Sequence, residues 1–271
     1  MKVRPLTLVS KDHQCPSSGE IQETTMTNPF ETALTGKHVV IVGGGSGMGK
    51  ATAMLAAHLG ARVTIASRDS AKLKDAAADI GGDIGISAVD MTDEDAVRTW
   101  ASALGQVDHL VISASSAAHG AFSDLPTADL RIMFEAKFIG PYVTVREVLP
   151  FLTEGASVTL FSGVLSRRPS TGATGLGAVN AAVEALAKGL ALELAGKARV
   201  NCISPGMVAT EAYAAMPEEA RENMYAQVGN TLPVRRVGDA DEIAQAVVMA
   251  MTNGFLTGSV LDVDGGHMVK A

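Results

Sequence analysis

The sequence predicts one doubly wound α/β domain, a parallel sheet of about seven strands with helices on both faces. Three observations carry this. Short runs rich in valine and isoleucine alternate with longer helical stretches from Lys37 onward, and parallel strands joined by crossover helices are the arrangement that such alternation builds. One strand-to-helix junction is a cluster of glycines, Gly43 to Gly49. The chain has 271 residues, of which 47% are hydrophobic and only 4% aromatic, enough small apolar side chains for tightly packed helix and sheet layers.

The elements follow in order. His38 to Val42 is an apolar run that reads as a buried strand, and Ala51 to Leu59 as the helix after it. Arg62 to Ala66 reads as a second strand, Ala71 to Ile80 as a helix, and Ile84 to Val89 as a third strand. A helix starts at Thr92 with Asp93, Glu94 and Asp95 in its first turn, where acids suit the helix dipole. His109 to Ser113 is a fourth strand. Leu125 to about Leu152 gives a long helical stretch interrupted by Gly140-Pro141. Ser157 to Phe161 is a fifth strand. Ala178 to Leu194 is apolar almost all round, which predicts a buried or interface helix. Arg199 to Ile203, a helix over 239–251 and Val260 to Val263 complete the pattern. No internal repeat and no second domain is visible.

Residues 1–36 are polar and aperiodic and read as a mobile leader preceding a domain over 37–271, with Met26 an alternative start. The formal net charge of -7 argues against nucleic acid or an anionic membrane as partner. The two cysteines, Cys15 and Cys202, do not make a disulfide framework, so a cytoplasmic location is expected. No apolar run reads as a membrane span.

The glycine cluster points to chemistry. A strand, a glycine turn and a helix N-terminus form a phosphate cradle of the Rossmann type. Glycines let the backbone approach a pyrophosphate, and the helix offers free N–H groups and partial positive charge. Gly43, Gly45, Ser46, Gly47 and Met48 are the candidate residues. In such folds the end of the second strand meets the adenosine ribose. Here it is Ser67-Arg68, a hydroxyl and a guanidinium with no acid at the first position, which favours NADP(H) over NAD(H).

From about Leu34 to Val269 the sequence resembles the short-chain dehydrogenase/reductase family. The motifs are Gly43-x-x-x-Gly47-x-Gly49, Val89-Asp90-Met91-Thr92, Arg199 to Thr210 with Pro205-Gly206 inside it, and Leu256 to Gly266. The resemblance implies adenine contacts at Asp90 and Met91, and a carboxamide contact at Val208. It also implies a phosphate contact at Thr210 and a cofactor role for Ala114 and Ser115, which stand in the family's Asn-Asn-Ala-Gly stretch. It implies hydride transfer to or from a carbonyl or alcohol of a small-molecule substrate, and a homo-oligomer, tetramer or dimer.

The family's catalytic residues do not carry over intact. Its tyrosine falls at Leu176 and its lysine at Asn180, while its relay asparagine falls at Lys137. The serine is placed at Ser162. Lysine and asparagine have changed sides, which reads either as drift in a site without catalytic demand or as a rebuilt site in which Lys137 supplies charge or protons. Tyr213, His119 and the pair Arg167-Arg168 are weaker candidates, each better read as packing or surface, and Thr171 and Thr174 offer only weakly acidic hydroxyls. Two functions follow: an NADP(H)-dependent oxidoreductase using Ser162 and Lys137, or a catalytically silent NADP(H)-binding sensor or partner subunit of an active relative. No metal site is expected.

Overall fold

The computed structural model describes residues 33–114 and 116–270. Most of the expected leader, 1–32, lies outside the described residues, as does Ser115.

The strand β1 (His38–Val42) is buried at every position and lies at the middle of the sheet. It pairs in parallel with β2 (Arg62–Ser67) on one side and β4 (Val107–Ile112) on the other. β3 (Ile84–Ala88) closes one edge. β5 (Leu152–Phe161), β6 (Ala198–Pro205) and β9 (Val260–Val263) extend the other, giving the order β3-β2-β1-β4-β5-β6-β9. All seven strands run parallel, as expected. The order reverses between β1 and β4, so the crevice at the C-terminal ends of the strands opens where the helices part to opposite faces.

The connections are helices. α1 (Gly47–His58), α2 (Ser70–Ile80), α3 (Glu94–Ala103), α6 (Thr174–Glu193) and α8 (Ala240–Thr252) follow strands or turns as the alternation predicts. Local chemistry sets several starts. The Asp69 carboxylate accepts from the Ala71 and Lys72 amides, and Asp93 accepts from Ala96. Asp239 and Glu242 form a reciprocal capping box at α8.

Side chains on the two sheet faces form two separate apolar layers. One joins Val40, Leu110, Val158 and Val200 to α3, α6 and α5 (Gly140–Val148). The other joins Val39, Ile41, Val63 and Ile65 to α1 and α8. Each buried aliphatic side chain contributes about 1.5–3 kcal/mol.

Three regions differ from expectation. The stretch 125–152 is α4 (Thr127–Phe134), a π-helical turn over Glu135–Ile139, α5 and a 3-10 turn. Pro141 lacks an N–H for the Lys137 carbonyl, and in a regular α-helix its ring would clash there; the wider turn relieves this. The segment 211–234, which reads as a loop in the sequence, holds α7 (Glu218–Thr231). Before it, β7 (Val208–Ala209) pairs with β8 (Gly238–Asp239).

α6 begins four residues earlier than expected, and it buries one face only: Leu176, Val179, Asn180, Val183, Glu184 and Ala187. With 20 residues it is long and apolar enough to cross a membrane by composition. It is nevertheless the crossover between β5 and β6, packed against the sheet.

Candidate active site

The glycine turn is built by close approach. Gly43 has φ 90°, and a Cβ there would lie 2.5 Å from the Ala114 nitrogen at the end of β4. A Cβ on Gly49 would lie 2.2 Å from the Gly43 carbonyl oxygen, so the first turn of α1 rests on the turn itself. Ser46 precedes α1 without a side-chain cap, and no acid sits in the first turn. The amides at this helix start are left to an anion.

A cleft of about 590 Å³ runs from this turn past the ends of β2 and β3. It is lined by Gly43, Gly45, Ser46, Gly47, Met48, Ser67, Arg68, Asp90, Met91, Ala114 and Thr210. The fold therefore brings together every expected cofactor residue among those described except Val208, which is buried beside it in β7.

At the β2 end, Arg68 and Lys72 both line the cleft. Asp69, which also lines the cleft, caps α2 through Oδ1. Asp90 accepts from the Thr92 amide at 3.0 Å and its hydroxyl at 2.8 Å. Burial opposes charge on Asp90, but these bonds and the Arg68 guanidinium outweigh it and hold the carboxyl below the usual range.

The catalytic positions lie deeper. Lys137 sits in the π-turn, is 9% exposed, and donates to the Ser162 carbonyl at 3.0 Å. Burial pulls its pKa from 10.5 down to about 8, with Cys202 opposing weakly. Across from it, Asn180 donates from Nδ2 to the Gly163 carbonyl at 3.3 Å, while its buried Oδ1 has no partner. Lysine and asparagine thus grip adjacent carbonyls at the end of β5. Leu176 is buried in a small apolar cluster with Met133 and Val179.

Ser162 departs from its expected role as a carbonyl-polarising hydroxyl. Its Oγ donates to Glu184 Oε1 at 3.1 Å, and neither Ser162 nor Lys137 lines the cleft. Instead, a Cβ at Gly163 would face Asn180 Nδ2 at 3.0 Å, so position 163 points across the site. Glu184 was not singled out from the sequence. It also accepts from Ser166 Oγ at 2.5 Å, and the Arg167 Nε lies 3.4 Å from its other oxygen. A lone acid on the buried face of an apolar helix was the available signal.

The weaker candidates resolve simply. Arg167 is not a free solvent charge: it pairs with Asp262 and donates to Ser204 Oγ. Arg168 donates to the Met268 carbonyl at 3.2 Å. Tyr213 packs edge-on against Tyr225 with ring centres 5.8 Å apart, and burial raises its pKa, making it a poorer acid. His119, Thr171 and Thr174 are exposed. Among the described residues, no cluster of three metal-ligating side chains occurs.

A glycine turn feeding a helix start, beside a cleft across the C-terminal ends of parallel strands, defines a dinucleotide-binding α/β protein. Comparison with known proteins narrows this. Residues 42–268 match the family profile described as Enoyl-(Acyl carrier protein) reductase. The chain belongs to the short-chain dehydrogenase/reductase family of oxidoreductases. It is 30% identical over 256 residues to the short-chain dehydrogenase/reductase ucsE of Acremonium sp, covering 87% of this chain and 97% of the relative. It is 29% identical over 241 residues to carbonyl reductase family member 4 of Xenopus tropicalis, covering 86% and 99%. A solved small-chain dehydrogenase in complex with NADPH is 34% identical, with TM-score 0.72, covering 85% of this chain and 97% of that one.

Proposed function

We propose that this chain binds NADP(H) in the cleft and transfers hydride between it and a carbonyl or alcohol, with Lys137 as the proton-moving group. The residues fit the cofactor. The turn admits no Cβ at Gly43 or Gly49, Gly47 and Met48 at the start of α1 line the cleft, and Ser67, Arg68 and Lys72 offer a hydroxyl and two cations for a 2′-phosphate. Asp69 is engaged through Oδ1 as the cap of α2. The NADPH complex of the related dehydrogenase supports the same choice.

When bound, the nicotinamide supplies or accepts the hydride. The chain must then protonate the developing alkoxide, or deprotonate the alcohol in reverse. The observation that carries the reading is Lys137: a buried amine with pKa of about 8, anchored on the Ser162 carbonyl where β5 ends. An amine tuned near neutrality can give and regain a proton. Glu184 fixes the Ser162 side chain, and so the carbonyl on which Lys137 rests.

The second reading is a silent NADP(H)-binding sensor or partner subunit. It is favoured by Leu176 and Gly163, which leave no hydroxyl at two positions facing the site, and by the commitment of Ser162 Oγ to Glu184. The decisive experiment combines calorimetry of NADPH and NADH with NADPH consumption over a broad carbonyl panel. We expect tight NADPH binding, weaker NADH binding, and consumption that Lys137→Ala abolishes while leaving NADPH affinity intact. Binding without consumption by the wild type selects the silent reading.

A cytoplasmic homo-oligomer, tetramer or dimer, belongs to the same proposal. Ile139, Tyr142 and Leu192, on the π-turn, α5 and α6, are exposed at 40%, 45% and 80% and support burial against a second copy. Light scattering after size exclusion tests this, and a monomer at micromolar concentration would refute it.

A further inference from the structure

The phosphate cradle already holds a carboxylate. Glu211 Oε2 accepts from the Gly47 amide at 2.8 Å, at the start of α1. Gly47 has φ 51°, and a Cβ there would lie 3.3 Å from Thr210 Cβ and 3.6 Å from Glu211 Oε2. The Thr210-Glu211 segment is therefore laid against the turn. The position is favourable for an anion: α1 has no acid in its first turn and no side-chain cap, so the helix field is otherwise unanswered. No ion pair holds Glu211 elsewhere among the described residues.

We propose that Glu211 is a displaceable latch: its carboxylate occupies a phosphate seat of the cradle and ties the following segment to the cleft until a dinucleotide takes its place. This rests on the dinucleotide-binding reading above. A pyrophosphate and a carboxylate repel each other and compete for the same amide, so binding must move Glu211. The movement is transmitted. Glu211 opens the 3-10 turn Glu211–Tyr213, and Tyr213 packs on Tyr225 of α7. Glu211 also lines both the main cleft and a second cavity of about 390 Å³, bounded by Arg221 and Tyr225. Releasing it frees the start of the 211–234 segment as the cofactor arrives. Cofactor occupancy would thereby be coupled to the segment that borders the site.

The test compares wild type with Glu211→Gln and Glu211→Ala, by NADPH calorimetry and by hydrogen exchange of the Gly47 amide and residues 210–217. Glu211 is exposed, so both variants should fold, and coincident thermal unfolding checks this. Expected are an NADPH Kd lowered about three- to tenfold in Glu211→Ala, scaled from helix-terminus charge effects, and a smaller fall in Glu211→Gln. Without NADPH, exchange at Gly47 and 210–217 should be faster in Glu211→Ala than in wild type. An unchanged or raised Kd with unchanged exchange overturns the latch alone. NADPH binding to none of the three proteins overturns the cofactor reading and the latch with it.

Discussion

Lys137 is kept at a cost, and that cost can be measured. Burial lowers its pKa from 10.5 to about 8. At about 1.36 kcal/mol per unit, an ammonium at this position costs the native state about 3 kcal/mol at neutral pH. The sign follows from proton counting. Between pH 8 and 10.5 the unfolded chain holds the Lys137 proton and the native chain releases it. Wild-type stability therefore gains from this group as pH rises through that window, while below pH 8 the full penalty applies. Lys137→Met keeps the length and apolar stem and removes the charge. It also removes the hydrogen bond to the Ser162 carbonyl, a loss of about 1–2 kcal/mol. The net expectation is a variant more stable than wild type by about 1–2 kcal/mol at pH 7. Its advantage should shrink from pH 8 to 10.5 and reverse above that. Urea unfolding at closely spaced pH values, with m unchanged, reads the difference directly. A variant less stable than wild type at pH 7, by an amount independent of pH, would refute both the depressed pKa and the argument that function retains this lysine.

Three further outcomes are expected. Gly49→Ala places a Cβ 2.2 Å from the Gly43 carbonyl oxygen, backbone against backbone, and should cost about 3 kcal/mol or more; thermal unfolding checks it, and an unchanged Tm counts against the turn geometry. Arg68→Ala should weaken NADPH binding by about ten- to a hundredfold and leave NADH binding unaltered, as one charge-assisted phosphate contact is worth about 1.5–3 kcal/mol; equal losses for both cofactors in calorimetry would remove Arg68 from the 2′-phosphate. His109 is buried against Ser157 Oγ at 2.8 Å and burial lowers its pKa to about 4, so its contribution is present above pH 6.5 and lost as pH falls toward 4. His109→Gln should flatten the acid limb of the stability curve in that window, and an unaltered limb in denaturant titrations would contradict it.

The frame of the domain was legible because it is written in local patterns. The run His38 to Val42 is buried at each position since β1 is covered on both faces, and glycine follows it at positions 43 and 49 because no Cβ fits there. Arg68 and Asp90 could be placed because each lies within two residues of a strand end whose position the sheet fixes. What failed to show were features made by distant contacts or by a missing group. α7 buries only Gly229 within its span and has no apolar stripe, so it read as loop. The π-turn depends on the absent N–H of Pro141. Glu211 and Glu184 gain meaning only from Gly47 and Ser162, residues 164 and 22 positions away.

The catalytic centre was half legible for a related reason. The family resemblance pointed to Lys137 and Asn180 on two helices, but a motif position cannot say where either side chain ends. Asn180 reaches the Gly163 carbonyl from α6, and Lys137 reaches the Ser162 carbonyl from the π-turn. The two endpoints are neighbouring peptide units of one strand end. A cation on the π-turn therefore reaches a carbonyl one residue from the one that α6 reaches, and the two positions differ in their surroundings. From the π-turn it is enclosed to 9% exposure, which is the source of its lowered pKa. Simple drift would favour an apolar residue at so buried a position, because an unpaired ammonium there costs stability and gains one hydrogen bond. That a lysine stands there, on a helix opened by Pro141 so that it fits, is the argument for a rebuilt site. The pH-dependent stability of Lys137→Met and the loss of turnover in Lys137→Ala must therefore appear together for that argument to hold.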